Sequence, residues 1–403
     1  VGKRGKRRKA LTGETDSGQS FDLDLGDSPA SVFAQMISMG ATGLPAIDEA
    51  DAVTIVPYAR GEALIASTIA GLPWRAYEKA VDDTRRSVVS FIDKPQGPTQ
   101  AISRYQFVET MVIHLVRYRE AFLKHIVNGA GAFVGFQLVH PVAVVKVAWR
   151  GLEKDFTVRD RLSAAETVYS TDGVGDRRMT QILGPSAYGL RGVPIYVQHA
   201  RLFQIALAAD KATGRGFTGA LARGLLTGDG ENDIEEGEMS QIVEKLNSRL
   251  AGVDNTGQFA AINRHIKLTE FTVNNVDAQF IETKGYQDGL FATILGLPPH
   301  LLGQIEKQTS WGTGVAEQNI GLHRYTLKSY TDRIESMLLP LQPDGQYNEF
   351  DYKGLLQGSP AEEIGLLISE VAGGILSRDE ARSFLNLGPM PTEPAIEGVP
   401  TNG

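Results

Sequence analysis

Sustained apolar periodicity begins after Asp48. Apolar positions from Val53 to Ala70 predict a helix, ended by Gly71-Leu-Pro73, where glycine takes a left-handed cap and proline cannot continue. A second helix is expected from Tyr105 to Ile126, after the breaker Gln96-Gly-Pro98, because Phe107, Met111, Leu115, Tyr118 and Phe122 recur at spacings of three and four. From Ala132 to Val193 the pattern changes to short runs of Val, Phe and Tyr divided by glycine, such as Phe133-Val-Gly-Phe136 and Val142 to Val147. Those runs read as strands. Pro194 then suits a first helical residue, and Ile195 to Phe217 reads as one long helix.

A compact α/β insert follows: a strand at Leu221 to Leu226, an acidic loop, a helix at Met239 to Leu250, and strands near Phe259 to Ile262 and Ile266 to Val273. Asn275 is a good N-cap for a helix from Asp277 to Leu295, which Gly296-Leu-Pro-Pro299 stops. Residues 304–314 have the Gly, Ser, Thr and Gln content of an exposed loop, yet include Trp311. Beyond it Ile320, His323, Leu327, Tyr330, Ile334, Met337 and Leu341 form one apolar stripe, a long helix closed by Pro340 and Pro343. A helical pair, Ala361 to Val371 and Arg378 to Phe384, precedes a Pro-rich tail. Residues 1–45 are polar and few of them are bulky, so most of that stretch is expected to be mobile.

Composition narrows the function classes. At 403 residues the chain can hold two or three packed regions, and 42% hydrophobic with 22% charged residues is ordinary for a globular protein. It has no cysteine, which removes disulfides, thiolate zinc sites and thiol nucleophiles. No apolar run approaches the ~20 residues needed to cross a bilayer, so no membrane role is expected. The 48 acids outnumber the 40 Lys and Arg, and a net charge of -8 argues against a tight, extended grip on nucleic acid. A basic arm of Lys3, Arg4, Lys6, Arg7, Arg8 and Lys9 is either solvated or a weak phosphate contact; no aromatic is interleaved for base stacking. With no apolar segment after it, the arm does not read as a secretory signal.

Catalytic patterns are scarce. Gly129-Ala-Gly131-Ala-Phe-Val-Gly135 places its third glycine one position late for a dinucleotide loop and reads as a turn. There is no phosphate-binding Gly-Lys-Ser/Thr loop, no His-Glu-x-x-His and no Gly-x-Ser-x-Gly, and the seven histidines show no paired ligand spacing. No catalytic residue, metal site or cofactor is expected. Asp229, Glu231, Asp233, Glu235, Glu236 and Glu238 form an acidic cluster, but Ile234 and Ser240 stand where a calcium loop needs Gly and Glu. The cluster is a solvated loop, a surface that repels DNA, or a dock for a basic partner.

Ala278-Gln-Phe-Ile-Glu-Thr-Lys284, Gly296-Leu-Pro-Pro-His-Leu-Leu-Gly303, Glu317-Gln-Asn319, Arg324-Tyr-Thr-Leu327 and Arg333-Ile-Glu335 follow one another over roughly sixty residues. In order and spacing this series resembles the portal proteins of tailed bacteriophages, of the siphophage type. Weaker similarity extends to Ile205-Ala-Leu-Ala-Ala-Asp210 and to Gly374 to Arg382 with Leu387-Gly-Pro. Two departures are Ser310-Trp-Gly-Thr-Gly314, where a Tyr-Ser-Asn type of segment is expected, and the long polar N-terminus.

The resemblance implies an α+β portal fold: a flexible arm at 1–45, a mixed α/β wing at 46–193, stem helices at 194–219 and 275–299, and a clip at 220–274. It also implies a tunnel loop at 303–314, a long wing helix at 315–341 and a C-terminal wing and helical crown at 342–403. The tunnel-loop residues Gln304, Glu306, Lys307, Gln308, Ser310, Trp311 and Thr313 would face DNA in the channel, and the acids at 229–238 would dock terminase or the tail adaptor. Implied partners are further copies in a ring of about twelve, double-stranded DNA, the terminase large subunit, the head-tail adaptor, the major capsid protein and scaffold. Its place would be the portal vertex of the virion, after synthesis in the host bacterial cytoplasm. The competing readings are another head-tail connector or minor head protein, and a nucleotide-using hydrolase.

Overall fold

The computed structural model describes residues 11–14, 20–23, 47–79, 84–98, 101–186, 189–217, 224–228, 266–270, 276–303, 318, 320–353, 360–385 and 387–388. Residues Val1–Phe350 form one compact unit and Asp351–Gly403 a second.

In the first unit a short antiparallel pair, β1 (Leu11–Glu14) and β2 (Ser20–Leu23), lies within the arm. Two helices then replace the one expected over Val53 to Ala70. α1 (Glu49–Thr54) opens with an Asp48–Asp51 capping box and closes at Ile55, whose backbone is extended; α2 (Val56–Gly71) follows with Pro57 in its first turn. Proline lacks the N–H that a continuous helix would use there, so the chain restarts where that donor is not needed.

The next correction is larger. α3 (Arg104–Tyr118) ends eight residues before Ile126, because Arg119 takes a left-handed conformation at φ 59° and the chain turns into β5 (Glu120–Val127). Phe122 keeps the helical spacing only because β5 is buried on both faces and therefore lacks the usual alternation. β5 is the middle strand of an antiparallel sheet ordered β10-β5-β6, with β6 (Phe133–Val139) and β10 (Met179–Leu183) beside it. A second antiparallel sheet holds β7 (Val144–Arg150), β8 (Glu153–Arg159) and β9 (Glu166–Ser170). Phe122, Val144, Val147, Phe156 and Met179 form the core between the sheets. The expected strand content of 132–193 is present.

The expected helix over 195–217 divides at His199 into α4 (Ile195–Gln198) and α5 (Ala200–Phe217), with Pro194 as the cap residue before the first turn. β11 (Gly224–Gly228) pairs antiparallel with β12 (Ile266–Glu270), and α6 (Val276–Leu295) begins one residue before the expected Asp277. The expected helix at Met239 to Leu250 and strand at Phe259 to Ile262 lie outside the described residues. After a 3-10 turn at Pro299–Leu302, the long helix resumes as a π-helical stretch, Leu322–Leu327, then α7 (Lys328–Leu338) and a 3-10 turn at Leu339–Leu341.

A third sheet, ordered β13-β3-β4, has no counterpart in the sequence reading. β3 (Trp74–Lys79) pairs with β4 (Arg85–Val88) and, across more than half the chain, with β13 (Gln346–Phe350). Trp74 stacks on Phe350 at 5.0 Å and donates its indole N–H to the Asn348 side chain at 3.2 Å. The second unit contains α8 (Pro360–Ala372), stopped by left-handed Gly374, and α9 (Arg378–Phe384), started by a Ser377–Glu380 capping box.

Candidate channel and docking segments

The acids at 229–238, the loop at 304–313 and the arm residues Lys3 to Lys9 lie outside the described residues. The structure describes the framework that launches the first two.

For the acidic segment that framework is a helix pair continued by a strand pair. α5 and α6 pack on each other, and α6 also packs on α2. Aromatic rings fix the three helices in register: Tyr58 of α2 meets Phe203 of α5 edge-on at 5.0 Å, and Phe203 meets Phe291 of α6 at 5.1 Å. All three rings are fully buried. Beyond the helices, Gly228 pairs with Ile266, so residues 229–265 leave and return at adjacent points.

The other loop starts from two left-handed glycines. At the end of α6 the Leu297 amide donates to the Ala292 carbonyl at 2.9 Å and the Gly296 amide to the Thr293 carbonyl at 3.1 Å. With Gly296 at φ 68° this is a Schellman motif, and buried Leu297 and Ala292 supply its apolar contact. Pro298 and Pro299 then carry the chain through one 3-10 turn to Gly303 at φ 87°. On the far side of residues 304–317 the π-helical stretch returns, and the Thr326 hydroxyl donates to the Gly296 carbonyl at 2.5 Å. The two chain segments that flank residues 304–317 are therefore tied together. A side chain at Gly296 would put its Cβ 2.7 Å from that hydroxyl, and one at Gly61 of α2 would sit 2.4 Å from a Leu295 methyl. At Gly296 the left-handed backbone adds to the close approach, whereas at Gly61 the neighbours are the ends of leucine side chains.

Buried charge stiffens the body beneath these segments. Arg117 of α3 bridges Glu62 of α2 and Glu49 of α1, both at 2.5 Å, and the Tyr58 hydroxyl donates to Glu62 at 3.1 Å. Burial opposes ionisation of Glu49, but the Arg117 guanidinium paired with it holds its carboxyl below the usual range. Burial pushes the hydroxyls of Tyr58 and Tyr118 up, and it holds His114, beside His140 and Arg117, neutral with a pKa of about 3. Deeper still, Glu120 receives the Arg191 guanidinium at 2.7 Å, the Gln181 amide at 3.0 Å and the Gly192 N–H at 3.1 Å. A carboxylate so fully satisfied is a structural tie.

Among the described residues no group of three or more His, Asp or Glu is placed to hold a metal ion, and no helix is long and apolar enough to cross a membrane. Sequence reading missed the Thr326–Gly296 tie, whose only local signal is a glycine before two prolines, and the charge cluster on α1, α2 and α3, which periodicity does not reveal.

A probable portal protein of Streptomyces phage phiC31 is 26% identical over 355 residues, covering 81% of this chain and 73% of that protein. The portal protein of Enterobacteria phage HK97 is 24% identical over 363 residues, covering 87% and 83%. Among solved structures, an HK97-family phage portal protein from Corynebacterium diphtheriae is 16% identical with a TM-score of 0.55, covering 78% of this chain and 99% of that one. A chain in the neck of a native gene transfer agent particle, computed with C12 symmetry, is 18% identical with a TM-score of 0.53, covering 89% and 100%. These likenesses agree with the α+β portal fold. The family described as phage portal protein matches residues 59–386, and the chain belongs to that family.

Proposed function

We propose that the chain builds a closed ring of about twelve copies at one capsid vertex, the channel through which double-stranded DNA enters and leaves. The family match over 59–386 carries this reading. In it, residues 46–193 are the wing, 194–219 and 275–299 the stem helices, 220–274 the clip, 303–314 the tunnel loop, 315–341 the long wing helix and 342–403 the C-terminal wing and crown. Support comes from the α5 and α6 pair continued by β11 and β12, which suits a stem ending in a clip. The tied roots of 304–317 suit a loop that must hold its place while a duplex slides past. The separate unit from Asp351 onward suits a crown.

The clip acids at 229–238 dock the terminase large subunit during packaging and the head-tail adaptor afterwards, while the wing meets the major capsid protein and scaffold. The chain itself performs no catalysis; ATP hydrolysis resides in the terminase. Its net charge of -8 keeps the channel from gripping phosphates strongly. Within the tunnel loop, Lys307 and Glu306 balance, so contacts with DNA are weak and exchangeable. Replacing residues 304–313 by a Gly-Ser linker is expected to leave ring formation intact and to impair retention of packaged DNA. Normal packaging and retention of full-length DNA by that variant would remove the loop from the channel.

A further inference from the structure

Arg119 and Arg333 converge on a cleft of about 40 Å³ in the first unit, between the end of α3 and the middle of α7. Arg119 donates to the Tyr330 hydroxyl at 3.5 Å, a weak contact, and Arg333 to the Leu183 carbonyl at 3.3 Å. Neither guanidinium meets a carboxylate among the described residues, as is also true of Arg104 and Arg178, whereas Arg85, Arg117, Arg150, Arg159 and Arg191 each do. Both are half-buried, so the cleft holds two partly desolvated cations and one hydroxyl, with no carboxylate of the described residues paired to either cation.

Its geometry is tightly enforced. Arg119 is held at φ 59°, unusual for a residue with a side chain, and its carbonyl accepts from the Gly184 amide at 2.6 Å. A Cβ on Gly184 would stand 2.7 Å from that carbonyl oxygen, and one on Gly192 would stand 2.5 Å from it. Two glycines thus stand against the backbone unit that carries Arg119 in its left-handed helix cap.

We infer that this cleft is an oxyanion site, and that a carboxylate side chain from a neighbouring copy of the chain fills it. The inference rests on the ring reading above. A guanidinium pair with a phenol matches the oxygens of one Asp or Glu. DNA fits less well: a duplex backbone is too broad for a cleft of this volume, and two cations make no stripe along repeating phosphates. A chain with 48 acids and a net charge of -8 has carboxylates in excess to offer its neighbour.

The test uses the full-length ring. In Arg333→Lys a primary amine replaces the guanidinium, and a carbodiimide converts an ion pair at that amine into an amide. Rings are mixed from isotopically labelled and unlabelled copies and mapped by mass spectrometry. The expected result is a crosslink from position 333 to an Asp or Glu of a different copy, absent in Arg333→Gln. Arg333→Gln should also raise the concentration for half-assembly by about tenfold. A well-formed ring with no crosslink, or with one only inside a single copy, would overturn the inference. So would unchanged assembly with weakened duplex binding, which would make phosphate the occupant. If Arg333→Lys fails to fold by circular dichroism, Arg119→Lys serves the same readout from the other side of the cleft. A wild-type chain that stays monomeric sinks the ring reading first, and this inference with it.

Discussion

Glu335 is the residue at which solution pH reaches the fold most directly. It sits on α7, accepts the Phe350 amide at 2.8 Å, and burial raises its pKa to about 7, with Asp332 and Glu349 nearby adding to the effect. Because the folded value lies above the unfolded one, this group's stabilisation is complete below pH ~4.5 and is lost as pH rises through about 7. His114 and His125 run the other way: burial lowers them to about 3 and about 4, so their contribution is full above the ordinary histidine range and is lost as pH falls. The two trends offset each other in the wild type. Glu335→Gln, which keeps an acceptor for Phe350, is expected to be more stable than wild type at pH 8 and to converge with it toward pH 4. Its own stability should fall steadily from pH 7 to 4, and thermal unfolding at fixed protein concentration checks both points. A variant less stable than wild type at pH 8 would show that the ionised carboxylate is the stabilising form.

The joint between α6 and the π-helical stretch is the described element that flanks residues 304–317. Gly296 and Gly61 serve it differently, and their replacement should separate the two roles. Gly296→Ala must hold φ 68° with a side chain and push Thr326 aside, which is expected to cost about 1–3 kcal/mol. Gly61→Ala meets only the ends of Leu295 and Leu297, which can rotate, so its cost should be about 1 kcal/mol. Equal costs, read from thermal unfolding, would mean that the left-handed turn contributes nothing. The stop after α6 was legible because glycine and proline act on their own backbone, whatever surrounds them. The end of α3 was not: Arg119 is an ordinary helix former, and the groups packed against its left-handed turn, Gly184 and Gly192, are far away in sequence. The sheet of β13, β3 and β4 was hidden for a similar reason, since its pairing joins residues about 270 apart and its strands carry Arg, Glu, Lys and Asn among their apolar residues. A π-helical stretch keeps nearly the same apolar stripe as an α-helix, and so Leu322–Leu327 read as one continuous helix.

At the scale of the whole molecule, the ordered series from Ala278 to Glu335 made the family legible, while the residues expected to touch DNA and partners gave only composition. Loop side chains follow what they contact, and in the proposed reading those contacts lie on other molecules. The described framework stops short of these segments, and what it shows is the packing of the helices that precede and follow them. Such a subunit has its purpose only in an assembly, because a single copy encloses no channel. The most direct measurement is therefore the mass and image of the purified chain, by mass photometry and negative-stain microscopy across a range of salt. The account predicts a dominant species near twelve subunits with a central hole and a flared rim; a chain that remains monomeric or dimeric at every salt concentration would contradict it.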